Sequence, residues 1–218
     1  MDDDDLPSPP PNLYSAMVEA ALRLAARGHY HQFRKRGLGG AAPPTPEDPL
    51  PDDHIPYITH LMGTVTILAR LDAPDEVLAA AALHDYLEDV PDPHGRRRIV
   101  DATNTEVLEL VLAVTENKRP ELGRGESWEL RKREQLADIG TMPREAVLIK
   151  GADALHNLQS LVVDLDRADD PDRVWDRFNA PREQQEWYFS ATLDAVTHRL
   201  GRHPLVDELA RVINRICL

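Results

Sequence analysis

The stretch Ala79-Ala80-Ala81-Ala82-Leu83-His84-Asp85-Tyr86-Leu87-Glu88-Asp89 decides the fold. An unbroken apolar run is followed at once by four side chains that bind metals or carry protons. Taken as one helix of about 3.6 residues per turn, it stacks His84 under Glu88 and Asp85 under Asp89. A solvated face does not usually begin directly after such a run, so the charged stripe is read as facing inward and serving a function. The alanines matter as well. Small side chains let neighbouring helices approach and deliver their own ligands to the same point. The chemistry implied is a metal site with acid/base groups beside it.

Outward from this stretch the pattern stays helical. Apolar residues recur at helical spacing over about 13–27, 58–71, 75–90, 95–102, 104–116, 126–139, 143–165, 171–178, 181–200 and 203–216. Pro74 and Pro143 stand where a first-turn proline is expected. No useful period-two run appears, so the class is all-α, a bundle of about eight to ten helices. Residues 1–12 carry four aspartates and four prolines and are expected to form a flexible tail. The rest, 13–218, is expected to be one domain with a long Gly- and Pro-rich loop over 37–56.

Composition narrows the functional classes. The net charge is −13, from 25 Lys+Arg against 38 Asp+Glu, which opposes extended contact with nucleic acid or an anionic membrane. No apolar run approaches the roughly 20 residues of a membrane span. The acidic start, Met1-Asp2-Asp3-Asp4-Asp5, is unlike a secretory signal, and a cytoplasmic location is expected. The single cysteine, Cys217, can form no internal disulfide. A small polyphosphate remains admissible, because Arg34-Lys35-Arg36, Lys118-Arg119 and Arg131-Lys132-Arg133 concentrate positive charge locally.

Three more segments join the decisive one: Tyr57-Ile58-Thr59-His60; Val114-Thr115-Glu116-Asn117-Lys118; and Lys150-Gly151-Ala152-Asp153-Ala154-Leu155-His156-Asn157-Leu158. His60, His84, Asp85 and Asp153 would supply two nitrogens and two carboxylates from three helices, a set suited to Mn²⁺ or a similar divalent ion. The other histidines lack helical spacing to His84, so a single ion is expected. His156 points about 60° round its helix from Asp153, on the side opposite Asn157, and packing is its expected role.

The adjacent His84-Asp85 pair is the hallmark of HD-type phosphohydrolases. Together with His29-Tyr30-His31-Gln32-Phe33-Arg34-Lys35 and the segments above, in that order, the chain resembles the hydrolase domain of the RelA/SpoT family. With no synthetase domain following, it is similar to the small alarmone hydrolases. The resemblance implies manganese held by His60, His84, Asp85 and Asp153, with catalysis by Glu88 and Asp89. It also implies substrate contacts from Arg34, Lys35, Lys118 and Asn157, and from Arg182 and Tyr188 late in the chain. The implied reaction removes the 3′-pyrophosphate of guanosine tetra- or pentaphosphate, giving GDP or GTP. Alternatives are an adenosine alarmone, the 2′-phosphate of NADPH, or a module that binds alarmone without cleaving it. The sequence leaves the oligomeric state open. The 37–56 loop is longer than the family's usual connection.

Overall fold

Helix-forming segments separated by caps and breakers produce an all-helical architecture. A computed structural model describes residues 13–34, 55–119 and 127–217. Among them run α1 (Ala16–Gly28), α2 (Ile58–Ala69), α3 (Asp75–Leu83), α4 (Tyr86–Asp89), α5 (Gly95–Ala102) and α6 (Thr105–Val114). After these come α7 (Trp128–Ile139), α8 (Arg144–Arg167), α9 (Arg182–Leu200) and α10 (Pro204–Cys217). The 171–178 segment is a 3₁₀ helix, Pro171–Arg177, started by the Asp170 side chain accepting from the Asp172 N–H. Ser15 and Asn104 cap α1 and α6, accepting from the N–H groups of Val18 and Val107. The 1–12 tail, Lys35 and the 37–54 part of the expected loop lie outside the described residues. At the edges of that loop, Phe33 and Pro56 form an antiparallel bridge.

The core is organised around α8, which packs against α2, α3, α6, α9 and α10. Ala79, Ala80, Ala81 and Ala82 are fully buried, and α3 is wedged among α1, α2 and α6. Small residues at that junction bring the helix axes together, so ligands from α2, α3 and α8 can meet. Leu61, Leu83 and Ile149 are fully buried beside them, each contributing roughly 1.5–3 kcal/mol of transfer free energy. α10 lays its buried stripe of Leu205, Leu209, Val212 and Ile216 over α8 and α9.

The expected continuous helix over 75–90 is broken at its most important point. α3 ends at Leu83, His84 and Asp85 form a turn, and α4 begins at Tyr86. His84 Nδ1 lies 2.8 Å from the carbonyl of Ala81, the acceptor an unbroken helix would offer to the Asp85 N–H. A side chain competing for the backbone ladder is a recognised cause of a kink. Asp85 then sits at φ −96°, ψ 0°, and its carbonyl accepts from the N–H of both Glu88 and Asp89. The break turns the ligands and the two carboxylates of α4 toward the same opening.

Candidate active site

Four side chains from α2, α8 and the α3–α4 turn converge. His60 Nε2 lies 3.2 Å from Asp153 Oδ1 and 3.7 Å from Asp85 Oδ2. His84 Nε2 lies 3.1 Å from Asp85 Oδ2 and 3.8 Å from Asp153 Oδ1. Among the described residues, His60, His84 and Asp85 place ligand atoms within 4.8 Å of one another. Both imidazoles are buried. The His84 proton belongs on Nδ1, facing the Ala81 carbonyl, which leaves the Nε2 lone pair aimed at the carboxylates. That Nε2 is buried without a hydrogen-bond partner. A buried nitrogen without a hydrogen-bond partner, set between two partly buried carboxylates, suits a divalent cation, so the residues present fit one.

Charge around the cluster supports this. Burial pushes the Asp85 carboxyl up, but the adjacent His84 outweighs it and leaves Asp85 below its ordinary range. Burial likewise opposes charge on His84, yet Asp85 and Asp153 overcome it and raise the imidazole well above its usual value. Two partly buried carboxylates thus draw a cation to this point, and a proton serves where no metal does. Tyr57 adds a fixed contact, its hydroxyl donating to Asp85 Oδ2 at 2.6 Å. Lys150 lies 3.4 Å from Asp153 Oδ2; burial works against its charge, but Asp153 keeps it protonated.

Glu88 and Asp89 stand at the edge of this cluster. Glu88 Oε1 accepts from the Glu116 N–H at 2.6 Å, which is possible because α6 stops at Val114 and the chain runs on extended. Burial raises the Glu88 carboxyl from its ordinary 4.5 to about 7, against the pull of that hydrogen bond and the nearby lysines. Asp89 Oδ1 accepts from Lys118 Nζ at 2.5 Å, and its backbone carbonyl accepts from the Gln32 amide at 2.7 Å.

A cavity of about 400 Å³ opens from the cluster and runs between α7, α8 and α9. Of the substrate residues inferred from sequence, Lys118, Asn157 and Tyr188 line it. Arg34 reaches the same mouth, donating to Asn157 Oδ1 at 3.0 Å, while Asn157 donates to Asp153 Oδ1 at 2.6 Å. Lys35 lies outside the described residues. Arg182 is not brought to the cavity lining: it pairs with Glu186 and stacks on Trp175. Its position at the start of α9 turns it toward the 3₁₀ helix.

Other residues contribute without having been picked out as site residues. Lys132 Nζ bonds Glu116 Oε2 at 2.9 Å and Gln135 Oε1 at 3.0 Å, and lies over the Tyr188 ring. The Tyr188 hydroxyl donates to the same Gln135 oxygen. Arg131 also pairs with Glu116. The i, i+3 pair Lys132/Gln135 was visible in sequence, but nothing there showed that α7 turns this face to the site. His156, expected only to pack, places Nδ1 2.9 Å from His60 Nδ1. Burial, together with the charges of His60 and Arg34, lowers its pKa to about 4.

In sequence and fold the chain is similar to known proteins. The family profile described as "HD domain" matches residues 41–183. The chain is 30% identical over 202 residues to the "Probable GTP pyrophosphokinase" of Mycobacterium leprae, 91% of this chain but only 21% of that protein. It therefore spans about a fifth of the length of such large bacterial relatives. It is 33% identical over 151 residues to "Guanosine-3′,5′-bis(diphosphate) 3′-pyrophosphohydrolase MESH1" of Drosophila melanogaster, covering 68% of this chain and 72% of that one. The structure of a metazoan ortholog of SpoT superposes with a TM-score of 0.68 at 24% identity, over 96% and 98% of the two chains, a likeness of fold. A Listeria monocytogenes structure gives a TM-score of 0.61 at 30% identity, over 74% of this chain and 95% of that one. The site and these matches place the chain in the HD-domain family, with RelA/SpoT-type proteins among its relatives.

Proposed function

We propose that the protein hydrolyses the 3′-pyrophosphate of guanosine tetra- or pentaphosphate to GDP or GTP and pyrophosphate, using one Mn²⁺ ion. The observation that carries this reading is the convergence of His60, His84, Asp85 and Asp153 beside Glu88 and Asp89, at the mouth of a cavity bearing Lys118. The likeness to MESH1, whose name states this reaction, supports the substrate. When bound, a divalent ion at this site polarises a phosphoryl oxygen and lowers the pKa of a water molecule. Glu88, with its carboxyl raised to about 7, is poised to take or return a proton near neutrality. Asp89 holds the Lys118 ammonium at the cavity edge, where it can meet a phosphate. Arg34 and Asn157 form a donor-rich rim suited to the nucleoside.

The partner implied is a small guanosine polyphosphate, with a cytoplasmic place of action. Ion-exchange chromatography of the products formed from guanosine tetraphosphate and Mn²⁺ tests the reading directly. Pyrophosphate and GDP in equal amounts are expected. Unchanged substrate, alongside orthophosphate released from NADPH or pyrophosphate from adenosine analogues, would redirect the substrate assignment. Binding with no turnover of any of them would leave a non-catalytic module.

A further inference from the structure

The two imidazoles of the metal cluster are held from behind in different ways. His84 leans on a backbone carbonyl, that of Ala81. His60 leans on another side chain, His156, through a 2.9 Å contact between the two Nδ1 atoms. Two facing nitrogens can share only one hydrogen, so one is the donor and the other a bare acceptor. His60 must keep its Nε2 lone pair free toward Asp85 and Asp153 if it is to bind a cation, which places its proton on Nδ1. His156 Nδ1 is then the acceptor, and the His156 proton sits on Nε2.

Gly63 makes room for this arrangement. It lies in the interior of α2, one turn after His60, where glycine costs roughly 0.5–1 kcal/mol relative to alanine. A Cβ added there would come within 2.1 Å of His156 Cδ2 and 2.2 Å of His156 Nε2. The missing side chain is thus the seat of the His156 ring at the α2–α8 crossing, and the nearest contacts are all to that ring.

We infer that His156 is a positioning residue for the metal centre: seated on Gly63, it accepts the Nδ1 proton of His60 and so fixes His60 in the tautomer and orientation that bind the cation. This rests on the metal-site half of the proposed function and is independent of the substrate. Partners of this kind behind a ligating histidine typically contribute about 10–100-fold in metal affinity.

The test uses the full chain, stripped by chelator and titrated with Mn²⁺ by calorimetry. His156→Leu keeps the bulk and removes the acceptor. His156→Asn keeps an acceptor near the Nδ1 position and loses part of the ring. The expected result is a roughly 10–100-fold rise in the Mn²⁺ dissociation constant for His156→Leu, with His156→Asn much closer to the parent. A purely packing role predicts the reverse order, and that result would overturn the proposal. Gly63→Ala should mimic His156→Leu in the parent, because the added methyl would displace the His156 ring from its seat. Parent protein that takes up no Mn²⁺ overturns this inference together with the metal site. Parent and His156→Leu proteins that bind equally overturn the inference alone.

Discussion

The two ends of the cavity are built on different principles. At the metal end, short buried side chains converge from α2, α8 and the α3–α4 turn, and their positions are set by helix packing. At the basic end, long side chains from α7 and from the chain after α6 are already paired internally, Lys118 with Asp89 and Lys132 with Glu116. The metal end turns two partly buried carboxylates toward its histidines, and these draw a cation. The basic end is self-neutralised, so an arriving phosphate must compete with existing partners. The first is organised before anything binds; the second must exchange contacts when substrate enters.

The largest expected effect breaks the metal end. His84→Ala or Asp153→Ala removes one of four converging ligands; the first takes the nearest imidazole from Asp85, the second takes the carboxylate from Lys150. Both should lose bound Mn²⁺ by elemental analysis and lose activity to the limit of detection. Folded variants holding a full equivalent of metal would dismiss this ligand set.

Next are the carboxylates between the two ends. Glu88→Gln and Asp89→Asn keep shape and remove the proton-accepting group, so turnover should fall by about 10²–10⁴ with near-parental metal content. Loss of metal instead would move the pair into the ligand shell. Glu88 offers a second measurement. Its folded pKa, about 7, is above its ordinary 4.5, so the folded state binds the proton more tightly. The stability it contributes is complete below pH 4.5 and is lost as pH rises through about 7. Metal-free Glu88→Gln should therefore gain on the metal-free parent above neutrality, by up to about 3 kcal/mol, and not at pH 4.5. Denaturation midpoints at the two pH values measure this, and parallel curves would mean that Glu88 is not desolvated.

The same contrast governs what could be read from sequence. The set His60, His84, Asp85 and Asp153 was expected because its segments resemble a known family's; taken alone, His60 reads as a core or capping histidine and Asp153 as a surface aspartate. The all-helical class followed from periodicity. The break at His84-Asp85 was not legible, since the residues favour a helix and only the His84 contact to the Ala81 carbonyl reveals the competition. His156 was placed correctly on its own helical wheel, but a wheel cannot show that α2 packs against that side with a glycine at the crossing. Lys132 lies in a basic run and Glu116 in a segment that the sequence marks, but nothing in the sequence ties either of them, or Gln135, to the site. Their role depends on how α7 docks against α9 and on where α6 stops.

The basic end should respond more mildly. Lys118→Ala removes a cation that burial disfavours but that Asp89 and Glu88 hold above its usual pKa. A lost charge-assisted contact to phosphate raises KM by roughly tenfold to a hundredfold. Removing Lys118 also frees Asp89 from its partner, so a fall in turnover accompanying the rise in KM would mean that Lys118 positions Asp89 as well. Unchanged KM and turnover would take it out of the site.

The smallest effects separate the two residues inferred late in the chain. The Tyr188 ring lines the cavity beneath Lys132, and its hydroxyl donates to Gln135 at 2.8 Å. Tyr188→Phe keeps the ring, and with it the cation–π contact, while deleting one neutral hydrogen bond. That bond lies within the protein and contributes about 0.5–1.5 kcal/mol to its stability, so KM should move by at most roughly tenfold, through the freed Gln135 and Lys132. Arg182 is partly exposed, engaged with Glu186 and stacked on Trp175. Exposed pairs of that kind contribute little, so Arg182→Ala should leave KM unchanged. Steady-state kinetics on both variants decide the matter. A tenfold rise in KM for Arg182→Ala with none for Tyr188→Phe would mean that substrate binding draws α9's first turn toward the cavity, and the basic end would extend further than its lining indicates.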